Sequence, residues 1–226
     1  VTDPEVRAKF EKAWGVPLSP VNGTPLTHVP DKVLRESDPK KQIHAYYIIG
    51  EDPAQSDPDL PEIRETLSKI DFVVIQDIFF NKTSEYADVI FPATAWGEHE
   101  AVYSACDRRF QRVHKLVDPD PNVKTDWEIL CLVATAMGYP MHYNNTEEIW
   151  DEMISLSPKY YGATYEKLEA NYGIQWPCYT RDPEDKGTKF LHEGATFNKP
   201  EGKGHFYFFP FTPVKEKETE EFPLSL

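Results

Sequence analysis

Gln76 and Asp77 are the residues whose types and position most clearly suit ligand chemistry. They close the apolar run Phe72-Val73-Val74-Ile75, and a second run, Val89-Ile90-Phe91, follows after one short turn. Unbroken β-branched runs of this kind read as strands buried on both faces, as in parallel sheets. Polar side chains at the carboxyl end of such a strand point into the crevice where open α/β sheets bind ligands. A similar arrangement lies upstream, where the run Ile43 to Ile49 meets Gly50-Glu51-Asp52-Pro53. Gly50 lets the backbone turn tightly or approach a ligand, and Pro53 confines Asp52 to an extended conformation. Residue chemistry alone describes a nucleotide-like binding half.

The elements that must position these groups follow from local signals. Asp3-Pro4-Glu5 starts a helix whose Val6, Phe10 and Trp14 share a face, with Gly15 closing it. Residues 16–42 are proline-rich loop with one short helix near Asp31–Glu36. After the first strand, Asp59-Leu60-Pro61-Glu62 has capping-box spacing, and Ile63, Leu67 and Ile70 form a stripe. Strand, helix and strand together make a βαβ unit, expected to be parallel and right-handed. Thr83–Tyr86 is long enough for one helical turn. Thr125-Asp126-Trp127-Glu128 is a second capping box, beginning a helix that Gly138 ends before Pro140. Further helices start at Asn145 and Thr164.

These signals give an α/β fold class. A Rossmann-like parallel half-domain spans roughly 1–95 plus the helix at 125–138, followed by an irregular α+β part. The expected division is a cofactor-binding region at 1–146, with 96–124 an irregular excursion, and an irregular region at 147–226. The segment Gly204–Phe208 alternates, and Lys215–Glu221 reads as a charged, exposed tail.

Lys plus Arg is 24 against 38 Asp plus Glu, a net charge of −14. That sign argues against a nucleic-acid partner. The three cysteines, Cys106, Cys131 and Cys178, form no CxxC pair and suggest reduced thiols in the cytoplasm. No apolar run is long enough for a membrane span.

Several runs, in order, carry a family resemblance: Ile49-Gly50-Glu51-Asp52-Pro53, Gln76-Asp77-Ile78-Phe79, Tyr86 to Ala93, Trp96 to Glu100, Asp107 to Arg112 and Lys124-Thr125-Asp126-Trp127. They resemble the molybdopterin-guanine-dinucleotide oxidoreductases. The later runs Met137 to Trp150 and Tyr161 to Glu166 are similar to the formate dehydrogenase branch, in its catalytic (alpha) subunit. That subunit is much longer. The resemblance implies a central slice, beginning after the metal ligand and the 4Fe–4S segment and ending before a β-barrel-like cap. No catalytic residue and no metal ligand is therefore expected here, and the slice alone is expected to be inactive.

The resemblance implies contacts to the dinucleotide at Gly50, Glu51, Asp52, Gln76, Asp77, His99 and Asp126. Relatives often have Asn where Asp52 stands, and periplasmic nitrate reductases have Lys at the position of His99. Asp126 matches an Asp that meets guanine, whose two adjacent N–H donors suit an ionised carboxylate. The implied cofactor is bis-molybdopterin guanine dinucleotide with molybdenum or tungsten. The implied activity is interconversion of formate and carbon dioxide, with the rest of the catalytic subunit and electron-transfer subunits as partners. The other readings are a cofactor-free scaffold like the large subunit of respiratory complex I, and a nitrate-reductase-like enzyme. Asp107, Arg108, Arg109 and Arg112 form a basic knot, read either as a salt-bridged loop or as a face for a partner.

Overall fold

The computed structural model describes residues 2–213 and 217–224. The apolar runs form three strands, β1 (Ala45–Ile49), β2 (Phe72–Asp77) and β3 (Val89–Pro92). They pair in parallel in that order, with Ile49 opposite Gln76 and Gln76 opposite Phe91. Alternation along the strands sorts their side chains onto two faces. One face buries Ile48, Val73 and Ile75 with Ala54, Leu67 and Ile70, and Ile63 and Ile90 pack against them. Each fully buried Val, Leu or Ile side chain of this cluster stabilises the fold by about 1.5–3 kcal/mol. The covering elements are the turn α2 (Pro53–Ser56) and the helix α3 (Leu60–Lys69), whose capping residue Asp59 accepts the Glu62 N–H at 3.4 Å. The register puts Tyr47, Val74, Gln76 and Phe91 on the opposite face.

Beyond β3 the chain leaves the sheet and returns to it. Ala93 bridges to Lys124 in the parallel sense, and the Thr94 N–H donates to the Lys124 carbonyl at 3.1 Å. The helix α4 (Asp126–Ala136) therefore starts beside the exit of β3. The intervening residues, expected to be irregular, instead hold an antiparallel hairpin, β4 (Ala101–Ser104) and β5 (Arg109–Val113). The turn of that hairpin carries no glycine. Arg108 takes the left-handed conformation (φ 67°), and the Ala105 N–H donates to the Arg109 carbonyl at 2.8 Å. The hairpin continues into β6 (Ile174–Gln175), paired antiparallel with β5.

A second core forms around this sheet. Phe110 is buried with Trp150 and Ile154 of α5 (Thr146–Leu156), with Tyr165 and Leu168 of α6 (Tyr165–Ala170), and with Ile174 and Cys178. Phe110 stands edge-on to Trp150 and Tyr160, each ring centroid 5.0 Å away. The N-terminal helix α1 (Pro4–Trp14) docks on α5, where Trp14 Nε1 donates to Glu152 Oε1 at 2.8 Å.

The boundary expected at 146 runs through this second core, because Phe110 lies on one side of it and Trp150 on the other. Packing divides the chain into Val1–Thr188 and Lys189–Leu226. In the second unit, Gly204–Phe208 forms no strand, and Phe206, Phe208 and Phe209 are exposed. Of the charged tail, 217–221 is exposed, while Lys215 and Glu216 lie outside the described residues. All three cysteines are free, and no described helix is long and apolar enough to cross a membrane.

Candidate functional site

Gln76 is completely buried (0% exposed) on the face of the sheet opposite α3. A buried amide must satisfy an acceptor and two donors. Tyr47 Oη donates to Gln76 Oε1 at 2.5 Å. Gln76 Nε2 donates to Asp126 Oδ1 at 2.6 Å and to the Asp126 carbonyl at 3.3 Å. The register explains the first contact: Ile49 pairs with Gln76, so Tyr47, two residues earlier on the same face, reaches it diagonally. Burial, and then the charge of Asp126, push the Tyr47 phenol upward and keep it a proton donor.

Asp126 is the first residue of α4, yet it does not cap that helix. Glu128 accepts the Thr125 N–H at 2.9 Å and the Thr125 hydroxyl at 2.7 Å. Burial alone would raise the Glu128 pKa; these bonds outweigh it and hold the carboxyl below its ordinary value. Among the described residues, no donor reaches Asp126 Oδ2. Asp126 borders a cleft of about 630 Å³ whose other walls include His99, Trp127, Trp150, Tyr165 and Trp176. His99 is held through Nδ1 by Thr94 Oγ1 at 2.8 Å. Glu100 also lines the cleft, and no Lys or Arg does. Arg112 lies behind this lining, 3.8 Å from the Tyr165 ring centroid and 3.4 Å from Glu100. Aromatic walls and a carboxylate with spare acceptor capacity suit a flat, donor-rich ring.

The remaining residues singled out in the sequence lie along the carboxyl edge of the sheet. The Gly50 N–H donates to the Gln76 carbonyl at 2.9 Å, and Gly50 takes a positive φ of 64°. Glu51 is exposed. Asp52 Oδ1 accepts from the Thr83 hydroxyl at 2.6 Å and the Thr83 N–H at 2.9 Å. Burial opposes ionisation of Asp52, but these bonds and Lys82 hold its pKa below the ordinary value. Asp77 is similarly engaged: Oδ1 accepts the Ile78 N–H at 2.6 Å and Oδ2 accepts Asn81 Nδ2 at 2.9 Å. Asp52 borders a separate open hollow with Phe79, Phe80 and Lys82. The structure thus joins Gly50, Gln76, Asp126 and His99 by hydrogen bonds and a shared cleft, while the carboxylates of Asp52 and Asp77 organise the loop at 77–84.

The basic knot makes contacts within the chain. Arg109 pairs with Asp107 at 3.3 Å, the Arg108 guanidinium donates to the Trp176 carbonyl, and that of Arg112 lies 3.8 Å from the Tyr165 ring centroid. Sequence reasoning missed Tyr47 and Thr94. Tyr47 could have been noticed as a hydroxyl in an otherwise apolar strand, since a buried Tyr O–H needs a partner.

Comparison with known proteins gives this geometry a family. The sequence model described as "Molybdopterin oxidoreductase" matches residues 19–136, a span that contains every residue singled out above for ligand contact. The chain is 45% identical to formate dehydrogenase H of Escherichia coli, covering 100% of this chain and 31% of that protein. It is 32% identical to the F420-dependent formate dehydrogenase 1 subunit alpha of Methanococcus maripaludis, covering 99% of this chain and 32% of the relative. The chain therefore spans about a third of the length of these relatives. Among solved structures, acetylene hydratase from Pelobacter acetylenicus shares the fold, with a TM-score of 0.58 at 19% identity over 88% of this chain and 26% of that one. With just over half of its residues matched, including the cleft carboxylate and the strand ends that support it, the chain belongs to the molybdopterin oxidoreductase family.

Proposed function

We propose that this chain is the central part of a formate dehydrogenase catalytic subunit and holds the guanine end of a molybdopterin guanine dinucleotide. The observation that carries this reading is Asp126, anchored through Oδ1 by buried Gln76 and open through Oδ2 beside an aromatic-walled cleft. Guanine presents two adjacent N–H donors, and an ionised carboxylate accepts both at once. Trp127 and the other aromatic walls offer flat apolar surface against which a purine ring can lie. His99 supplies one polar group through Nε2, since Nδ1 is engaged by Thr94.

The bound cofactor, with molybdenum or tungsten, would supply the two-electron oxidation of formate to carbon dioxide and a proton, or the reverse. The electrons would leave through a 4Fe–4S cluster and electron-transfer subunits in the cytoplasm. The role of this chain is orientation and electrostatics around a group that carries the chemistry. Formate as substrate rests on the names of the relatives; three of them are F420-dependent formate dehydrogenase alpha subunits, which supports an assembly of several subunits.

The test is Asp126→Ala in the full-length protein. Metal and pterin content per protein should fall while the protein still folds and unfolds cooperatively, with a transition lowered by no more than the loss of one buried hydrogen bond and of the bound group explains. Full occupancy with unchanged activity would refute the reading. A wild-type protein devoid of metal and pterin would instead support a cofactor-free scaffold.

A further inference from the structure

We propose that Tyr47 is a positioning residue that sharpens guanine selectivity by anchoring the buried Gln76 amide, and through it the Asp126 carboxylate. The inference rests on the assignment of Asp126 to the guanine edge. A glutamine amide has two orientations, related by a flip that exchanges Oε1 and Nε2. Facing Asp126, one orientation offers a donor and the other a carbonyl that repels a carboxylate.

Asp126, which only accepts, selects the orientation that turns Nε2 toward its Oδ1 at 2.6 Å, and Tyr47 anchors the other end of the amide by donating to Oε1 at 2.5 Å. Gln76 has no access to water that could replace either bond, because it is fully buried. Nε2 also reaches the Asp126 carbonyl at 3.3 Å, so the same amide fixes both the start of α4 and the side chain projecting from it. The Tyr47 ring is itself steadied by Phe91, 6.3 Å away between centroids. The result is a relay of hydroxyl, amide and carboxylate that holds Asp126 at the border of the cleft. Gln76 takes one lone pair of Oδ1, so the second lone pair of Oδ1 and Oδ2 can together accept from guanine N1–H and the 2-amino group. Hypoxanthine lacks the 2-amino group and loses one of the two points.

The experiment measures GDP and IDP binding to the cofactor-free full-length protein by calorimetry, using the ratio of the two affinities. A general loosening of the fold weakens both nucleotides together and leaves the ratio unchanged, so the ratio isolates positioning. Wild type should prefer GDP, and Asp126→Ala should erase that preference. Tyr47→Phe should lower the ratio about three- to tenfold, the range for loss of one ordering hydrogen bond. In the double variant, Tyr47→Phe should have no further effect on the ratio, because its action passes through Asp126. Gln76→Met, which fills the same space without either polar end, should lower the ratio at least as far, and serves if Tyr47→Phe does not fold. If the ratio is retained in Tyr47→Phe, or in Gln76→Met, while Asp126→Ala erases it, the relay is overturned and the guanine reading stands. If wild type binds GDP and IDP equally, or binds neither, the guanine reading fails and the relay fails with it.

Discussion

The two sheets treat their polar side chains differently. At the carboxyl edge of the parallel sheet, Asp52 and Asp77 are consumed by nearby backbone and hydroxyl donors, and they shape the loop that joins β2 to β3. The antiparallel sheet puts its effort into aromatic packing: Phe110, Trp150, Tyr160 and Trp176 meet edge to edge and also line the cleft. Asp126 stands where these regions meet. A carboxylate near the strand ends is available to a ligand only if other groups do the local structural work. At Asp126 they do, because Glu128 engages Thr125 and Gln76 uses only one carboxylate oxygen.

The largest effects should come from the cores. Phe110→Ala removes the ring at the centre of the antiparallel core and should cost about 3–5 kcal/mol; Ile75→Ala in the parallel core should cost about 2–5 kcal/mol. Chemical denaturation of the chain measures both. A negligible loss for Phe110→Ala would mean that the aromatic region is a loose appendage. Gly162→Ala should follow, at about 1–3 kcal/mol, since a Cβ there would lie 2.1 Å from the Thr180 carbonyl oxygen and 2.6 Å from Cys178 Sγ. An unchanged denaturation midpoint would count against that packing.

Asp52→Asn tests the other side of the comparison. It should weaken the fold by about 1–2 kcal/mol at neutral pH while leaving guanine selectivity intact. Because the folded pKa of Asp52 is depressed, its contribution is present above the ordinary aspartate range and is lost as pH falls through the folded value. The gap between wild type and variant should therefore close on acidification. A gap that persists at acid pH, or lost selectivity, would contradict the division of labour between Asp52 and Asp126. The smallest effect is expected at the exposed pair His44–Asp71, 2.7 Å apart. Asp71, and then the Pro39 carbonyl, raise the His44 pKa, so its contribution is present at mildly acid pH and fades as pH rises through the raised value. Thermal unfolding of His44→Ala should differ from wild type more at mildly acid than at alkaline pH.

The parallel half was legible because its strands appear as unbroken apolar runs ending in Gln76-Asp77, although the face toward α3 is the better buried one and Ile49 and Phe72 on the other face are exposed. The start of α4 was legible from Thr125-Asp126-Trp127-Glu128. The hairpin was hidden because its apolar signal is thin. In β5 only Phe110 is buried, Arg112 packs its cation on Tyr165, and Arg108 occupies the turn position where glycine would have announced a reversal. The fates of Asp52 and Asp126 were also out of reach of local spacing. Thr83 meets Asp52 across 31 residues of sequence, and Gln76 meets Asp126 across 50.

The most direct measurement is a high-resolution structure of the cofactor-loaded full-length protein. The account predicts a purine edge within hydrogen-bond distance of Asp126 Oδ2, with Gln76 Nε2 still on Oδ1 and Tyr47 still on Gln76 Oε1. A cleft filled by protein side chains, with the purine bound away from Asp126, would contradict it.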